Sequence, residues 1–149
     1  MNYELIQQME GLLSDEKYLI TALSNSSALL NENLNDINWV GYYLYRDGQL
    51  ILGPFQGKVA CEIIQLDKGV CGHCATTMKT VVVNDVHQFP GHIACDSASN
   101  SEIVIPIRRN GELFGVLDID SPVFSRFSEE DRVTLEKCVE LLEDLLKSF

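Results

Sequence analysis

Cys95, in a long polar connection, is the residue of this sequence best placed to do chemistry. It lies within residues 90–102, a run of mostly small and polar residues between two apolar segments, with neither helical nor strand periodicity. Long irregular connections inside a compact domain are usually functional or mobile. The residue types alone leave two interpretations open, a reactive thiol with the carboxylate of Glu102 nearby, or a polar loop that holds a buried cysteine.

The other four cysteines are Cys61, Cys71, Cys74 and Cys138. The start of the chain lacks the basic flank and apolar run of a signal peptide, and we therefore expect a cytosolic protein. An odd number of cysteines in a reducing compartment favours core packing, metal ligation or redox catalysis over structural disulfides. Cys138 falls on the apolar stripe of the last predicted helix, which indicates core packing.

A zinc site is an alternative use of some of these thiols. Cys71, Cys74, His92 and Cys95 follow the spacing C-x2-C and H-x2-C, and such sets of four soft ligands are typical of zinc. This interpretation leaves Cys61 unexplained.

The elements that must position these residues follow an α+β order. Apolar spacing predicts two helices within residues 1–35, the second starting after Ser14-Asp15 with Ile20 on its apolar face. Strands and loops follow over residues 36–122, with hairpins at Asp47-Gly48 and Asn110-Gly111 and a short glycine-led helix from Gly69. A helix with a capping box at Ser128 then runs over 128–148. We predict one domain over 1–149, an antiparallel sheet with helices packed against it.

Composition excludes two classes of partner. The chain has 149 residues and a formal charge of −11, whereas nucleic acids and anionic membranes require clustered cations. No apolar stretch reaches the roughly 20 residues of a membrane helix. A small cationic group, such as a substrate ammonium, suits this charge.

Four segments then identify a family. Residues 53–61 (GPFQGKVAC), 69–72 (GVCG), 89–97 (FPGHIACDS) and 115–122 (GVLDIDSP) closely resemble the free methionine-(R)-sulfoxide reductases. The resemblance runs from about Asn38 to the last helix and includes three cysteines in order. It implies a GAF domain, with a mixed, mainly antiparallel sheet of about six strands and helices on both sides, commonly dimeric. It further implies thiol-dependent reduction of the free amino acid, with a thioredoxin-like dithiol as reductant and no metal or organic cofactor.

The resemblance also implies roles for individual residues. Cys95 matches the thiol that attacks the sulfoxide, and Cys61 and Cys71 match the thiols that later form disulfides with it. The matching acids of the substrate site are Glu102, Asp118 and Asp120. Trp39 and Tyr43 match the aromatic residues around the methionine end, and the backbone amides of Ile93 and Ala94 match the carboxylate site.

Cys74 departs from the family pattern, in which a small residue is more usual at this position. Which of Cys61, Cys71 and Cys74 resolves the first intermediate therefore stays open. The zinc alternative becomes less favoured, because Cys74 is the unusual member of that set.

Three carboxylates in one pocket cannot all ionise cheaply, so one of them should hold a proton near neutrality. Glu102 and Asp118 are the candidates for the acid that protonates the sulfoxide oxygen, and the choice between them stays open. We also predict that a three-residue loop with Gly111 in a bulge places Glu102 opposite Asp118. A simple two-residue Asn110-Gly111 turn would instead put them on opposite faces of the sheet.

Plainer interpretations also exist for these residues. Asp118 and Asp120 could be a solvated strand end, and Trp39 and Tyr43 could be ordinary core aromatics. A non-catalytic GAF module that senses a small molecule or redox state is the alternative function. Turnover of free methionine sulfoxide distinguishes the two functions.

Overall fold

The structure of this chain is a computed structural model that describes residues 1–91 and 98–149. Within those residues it contains four α-helices, six strands and one short 3-10 helix. Their bounds are α1 Tyr3–Leu13, α2 Leu19–Asn33, β1 Trp39–Arg46, β2 Gln49–Gly57, β3 Ile63–Gln65, α3 Gly69–Thr77, β4 Val81–Val83, the 3-10 helix Val86–Gln88, β5 Ser101–Arg109, β6 Glu112–Ser121 and α4 Glu129–Leu146.

The six strands form one sheet in the order β3-β2-β1-β6-β5-β4. Each described strand pair is antiparallel, which is simpler than the mixed pairing predicted from the resemblance. The prediction of an α+β fold with about six strands and helices on both sides of the sheet is confirmed. The first and last long strands, β1 and β6, lie side by side at the centre of the sheet.

Two tight hairpin turns join the long strands. Asp47-Gly48 connects β1 to β2 and Asn110-Gly111 connects β5 to β6, and all four residues have positive φ, between 54° and 78°. Asn, Asp and Gly tolerate this left-handed conformation, which matches the twist of antiparallel strands. Both predicted hairpins are confirmed.

The predicted register between β5 and β6 is wrong in detail. The Asn110-Gly111 turn has two residues, and the irregularity lies further along, where Ile107 pairs with Gly115 but Arg108 pairs with Leu113. Phe114 is therefore the extra residue of a bulge in β6. This shift pairs Glu102 with Asp120 rather than with Asp118. Glu102 and Asp118 still lie on the same face of the sheet, because a bulge shifts the register by one residue.

The sheet separates two cores by the alternation of side chains along its strands. On one side, which we call the helical face, α1, α2 and α4 cover an apolar core. On the other side, which we call the pocket face, α3 covers a second cluster. The helical face includes Tyr42, Ile103 and Leu117, while the pocket face includes their neighbours Tyr43 and Val104.

The helices differ from their predicted limits mainly at α2. This helix begins at Leu19, after Asp15 adopts a φ of 61°, and Ile20 is 63% exposed rather than on the buried face. The capping box at Ser128 is confirmed, with the Asp131 amide donating to Ser128 Oγ at 3.1 Å. Cys138 is buried in the helical-face core, as predicted. Within the described part of the chain, no helix is both long and apolar enough to cross a membrane.

Candidate active site

A pocket opens on the pocket face between the sheet, α3 and the connection from β2 to β3. Its walls combine acids, a thiol, aromatic rings and one cation. The lining residues are Trp39, Tyr43, Val59, Ala60, Ile64, Lys68, Gly69, Val70, Cys71, Ser99, Glu102, Asp118 and Asp120. The pocket thus brings together six of the residues that the sequence predicted for the site.

Glu102, Asp118 and Asp120 form an acid cluster on β5 and β6. Glu102 pairs with Asp120, and Asp118 is two residues along the same face. Glu102 and Asp118 are each only 6% exposed, so a solvated strand end is excluded for Asp118. Burial raises the pKa of Glu102 well above its usual value, and the charges of Asp118 and Asp120 raise it further. Glu102 is therefore a carboxylic acid that retains its proton at pH values where an exposed glutamate has lost it.

Cys71 faces these acids from the first turn of α3. Its Sγ and one carboxylate oxygen each of Glu102 and Asp118 all lie within 4.8 Å of one another. The next residue must be glycine, because a Cβ at Gly72 would lie 2.5 Å from the Gln65 carbonyl oxygen. Burial raises the pKa of the Cys71 thiol well above its usual range, and the negative charge of Asp118 adds to this shift. Cys71 is thus a neutral thiol and a poor nucleophile.

Among the described residues, Cys71, Glu102 and Asp118 are close enough to one another to bind a common metal ion. The group does not include Cys74, which the zinc motif requires and whose thiol contacts the Val104 carbonyl oxygen at 3.6 Å. A metal would have to displace the protons of Cys71 and Glu102, which weakens binding near neutral pH. The donor set thus fits a protonated acid cluster better than a resident metal.

An aromatic stack forms another wall of the pocket. Trp39 stacks on Tyr43 with 5.9 Å between ring centroids, and on Phe55 with 5.2 Å. Trp39 and Tyr43 are 3% and 1% exposed, yet both line the pocket, so they are more than ordinary core aromatics. Burial, followed by the charge of Asp118, raises the pKa of Tyr43, which keeps its hydroxyl a hydrogen-bond donor. Phe55, within the 53–61 segment, was not predicted as part of the site.

Both aromatic residues that line the pocket also hold the connection that follows β2. Trp39 Nε1 donates to the Lys58 carbonyl oxygen at 3.1 Å, and Tyr43 Oη donates to the Cys61 carbonyl oxygen at 2.9 Å. Gly57, with a φ of 139°, passes so close to Trp39 that a Cβ there would lie 2.6 Å from the indole Cδ1. The residues between these two hydrogen bonds include Val59, which is 90% exposed at the pocket rim.

The described cysteines differ in oxidation state. Cys61 is half-buried and disulfide-bonded, whereas Cys71, Cys74 and Cys138 are buried free thiols. Burial raises the pKa of both Cys74 and Cys138 to about 12. The three free thiols are therefore protonated and poorly nucleophilic near neutrality, whereas the sulfur of Cys61 is oxidised in its disulfide.

Some predicted site residues lie outside the described residues, namely Cys95, Ile93, Ala94 and His92. Two polar residues of the pocket, Lys68 and Ser99, were missed by the sequence analysis. Lys68, the residue before α3, is the one cation among the described lining residues. Ser99 accepts a hydrogen bond from Asn38 Nδ2 at 3.1 Å. Ser99 could have been found from its place beside Glu102 in the polar run, whereas an exposed lysine carries no such signal.

Comparison with known proteins matches residues 26–147 to the GAF domain family. The free methionine-R-sulfoxide reductase of Escherichia coli K12 is 49% identical over 143 residues, covering 96% of this chain and 87% of that protein. Among solved structures, the Staphylococcus aureus fRMsr in complex with substrate superposes with a TM-score of 0.93, at 52% identity, covering 97% of this chain and 95% of that one.

A second substrate complex gives the same result at lower identity. The free methionine-R-sulfoxide reductase of Neisseria meningitidis in complex with its substrate has a TM-score of 0.95 and 40% identity, covering 98% of this chain and 88% of that one. The fold, the share of the chain that is covered and the sequence identity all indicate the same family. This chain therefore belongs to the free methionine-(R)-sulfoxide reductase family of GAF domains.

Proposed function

We propose that this protein reduces free L-methionine-(R)-sulfoxide to L-methionine, using cysteine thiols as the source of electrons. The observation that carries the proposal is the acid cluster of Glu102, Asp118 and Asp120 beside an aromatic wall, in a pocket next to the disulfide-bonded Cys61. Relatives named for this reaction at 49% identity support it.

Cys95 attacks the sulfoxide sulfur in the first step. Its sulfur gains the oxygen and becomes a sulfenic acid, the sulfoxide is reduced by two electrons, and methionine leaves. The assignment of Cys95 comes from its place in the family motif. It is supported by the raised pKa of Cys71, Cys74 and Cys138, because a protonated buried thiol attacks slowly.

Glu102 supplies the proton that the departing oxygen requires. Burial and the charges of two neighbouring aspartates raise its pKa well above the ordinary value, so it keeps its proton at pH values where an exposed glutamate has lost it. A carboxylic acid whose pKa is raised in this way is a suitable general acid at neutral pH. Asp120, half-buried in the pocket, is left to pair with the substrate ammonium.

Cys61 resolves the sulfenic acid. Its thiol condenses with the Cys95 sulfenic acid, which forms a disulfide and releases water. Its disulfide-bonded state and half-exposed position support Cys61 over the buried Cys71 and Cys74. An external dithiol of the thioredoxin type then reduces the disulfide by exchange and is itself oxidised to a disulfide. This sequence of steps needs no metal or organic cofactor.

The acid cluster also accounts for selectivity toward the free amino acid. A methionine sulfoxide within a protein has no α-ammonium and would leave the half-buried carboxylate of Asp120 without its partner. Breaking a fully buried pair costs about 3–5 kcal/mol, which sets the upper limit of this effect. Peptidyl methionine sulfoxide should therefore be a very poor substrate.

The direct test measures methionine released from free L-methionine-(R)-sulfoxide with dithiothreitol or thioredoxin as reductant. The N-acetylated (R)-sulfoxide, which lacks the α-ammonium, serves as the matched control and should be turned over far more slowly, and the (S)-sulfoxide tests whether the site distinguishes the configuration at sulfur. Absence of turnover, together with tight binding of another small molecule, would instead favour a sensing GAF module.

A further inference from the structure

The aromatic wall contacts the Cys61 backbone as well as the pocket. The connection after β2 is held at its two ends, by Trp39 Nε1 at the Lys58 carbonyl and by Tyr43 Oη at the Cys61 carbonyl. Both donors come from β1, and their side chains lie in the pocket-face core. The hydrogen bonds therefore connect a rigid central strand to the segment that carries a disulfide-bonded cysteine.

We propose that Tyr43 and Trp39 are positioning residues for the disulfide chemistry of Cys61. This inference deepens the proposed function and rests on it for the identity of the step, which is condensation of Cys61 with the sulfenic acid of Cys95. In that step one sulfur–sulfur bond forms, the sulfenic S–O bond breaks, and water leaves. The hydroxyl of Tyr43 and the indole N–H of Trp39 hold the segment where Cys61 is disulfide-bonded.

The burial of the segment explains why such anchors matter. Lys58 and Val59 are exposed and Ala60 and Cys61 are only half-buried, so side-chain packing fixes this stretch weakly. A loose segment lowers the effective concentration of its thiol at the partner sulfur, because each residue that is not ordered adds conformational entropy. A hydrogen bond from the 1% exposed Tyr43 to the Cys61 backbone removes part of that freedom next to the reacting sulfur.

The chain contains a matched control for the Tyr43 hydroxyl. Tyr42 is the adjacent residue on β1, is 2% exposed, and its hydroxyl lies 2.7 Å from Ser26 Oγ in the helical-face core. Tyr42→Phe and Tyr43→Phe therefore each remove one hydrogen-bonded hydroxyl from neighbouring positions of one strand. Only the Tyr43 substitution removes a contact to Cys61.

A redox titration with glutathione tests the proposal without any sulfoxide substrate. Reduced and oxidised protein are equilibrated with mixtures of reduced and oxidised glutathione, quenched with acid, and the Cys61 disulfide is quantified by mass spectrometry. Tyr43→Phe should lower the equilibrium constant for disulfide formation by up to about five-fold, the factor that one typical hydrogen bond supplies when only the disulfide-bonded state makes it. Tyr42→Phe should leave that constant at the wild-type value.

A kinetic measurement gives a second readout. Reduced protein is mixed with one equivalent of peroxide to form the sulfenic acid, and its lifetime is followed by trapping with dimedone. Tyr43→Phe should prolong that lifetime several-fold compared with Tyr42→Phe, and Trp39→Phe should act in the same direction as Tyr43→Phe.

Two outcomes would overturn the inference. One is an unchanged equilibrium constant and lifetime in Tyr43→Phe. The other is an equal fall in Tyr42→Phe and Tyr43→Phe, which would indicate general destabilisation. Because the titration needs no methionine sulfoxide, it remains interpretable if the wild-type protein fails to reduce that substrate, so the two proposals fail separately.

Discussion

The two faces of the central sheet use the same strands for opposite purposes. On the helical face, residues such as Ile103, Leu117 and Ile119 are fully buried in hydrocarbon under three helices. On the pocket face, the alternating positions of β5 and β6 carry Glu102 and Asp118, which are buried beside one another, and the pKa of Glu102 is raised as a result. The burial of like charges destabilises the folded state, and the apolar face offsets that cost.

Two pairs of like residues show the same contrast between the helical face and the pocket face. The Tyr42 hydroxyl is hydrogen-bonded to Ser26 inside the apolar core, whereas the Tyr43 hydroxyl donates to the backbone of the disulfide-bonded Cys61. Cys138 is a buried thiol among leucines, while Cys71 is a buried thiol among acids. Residue type and burial are nearly equal within each pair, so the face of the sheet determines what each residue does. Stability and chemistry can thus be altered by separate substitutions on one strand.

The largest expected difference is between the cysteines proposed to react and Cys138 of the helical-face core. Cys95→Ser should abolish methionine formation, because serine cannot accept the sulfoxide oxygen, while Cys138→Ser should keep wild-type kcat. Cys61→Ser should release one equivalent of methionine and then recycle slowly. The measurement is methionine released per protein, in the first turnover and at steady state, with dithiothreitol as reductant. An active Cys95→Ser protein would refute the assignment of the attacking thiol.

Loss of the proposed general acid should have the next largest effect. Glu102→Gln keeps the shape of the side chain but cannot donate an acidic proton, so kcat should fall about 100-fold or more. The control is Ile103→Val, one residue away on the helical face, which should lose about 0.5–1.5 kcal/mol of unfolding free energy and no kcat. A Glu102→Gln variant with wild-type kcat would transfer the acid role to Asp118.

A truncation in the apolar core should show the reverse pattern. Leu142 is 1% exposed on α4 in the helical-face core, so Leu142→Ala should lower the unfolding free energy by about 2–5 kcal/mol. Turnover measured well below the unfolding midpoint should stay near wild type. Urea denaturation and steady-state kinetics on the same preparation check both statements. A large loss of kcat in the folded variant would show that the two faces are coupled.

The smallest expected effect is a change in how stability depends on pH. Because folding raises the pKa of Glu102, the folded state binds more protons than the unfolded state above the ordinary glutamate pKa. The contribution of Glu102 to stability is therefore complete below that ordinary pKa and declines as pH rises through the raised one. The slope should be at most about 1.4 kcal/mol per pH unit for this proton.

Glu102→Gln should remove that slope, so its unfolding free energy should exceed that of the wild type increasingly toward alkaline pH. Urea denaturation at a series of pH values measures the unfolding free energy of both proteins. Parallel curves for the two proteins would mean that Glu102 ionises normally in the folded state.

Local sequence signals predicted much of this architecture. Asn110-Gly111 and Asp47-Gly48 predicted both hairpins, since their φ values are favourable mainly for Asn, Asp and Gly. The alternation of apolar and acidic residues at 117–120 predicted Asp118 and Asp120 on one face, because successive side chains of a strand point to opposite sides. The family resemblance, rather than a local pattern, implied that Trp39 and Tyr43 belong to the site, and both line the pocket.

The pairing of Glu102 with the acids of β6 could not be predicted from the sequence alone. Asn110-Gly111 by itself predicts a two-residue turn, which would put Glu102 and Asp118 on opposite faces. The bulge at Phe114 restores them to one face, and such a bulge depends on packing against other strands rather than on local residue preference. The exposure of Ile20 has a similar origin, because the start of α2 at Leu19 set which of its residues meet the sheet.

The sequence by itself therefore determined the elements, the turns and the types of residue that the site contains, because these depend on neighbours along the chain. Only the tertiary structure decided that Glu102 faces two aspartates, that Cys71 is protonated, and that the Tyr43 hydroxyl reaches the Cys61 carbonyl. Burial and hydrogen bonds between residues distant along the chain arise only when strands and helices pack, and no local pattern encodes them.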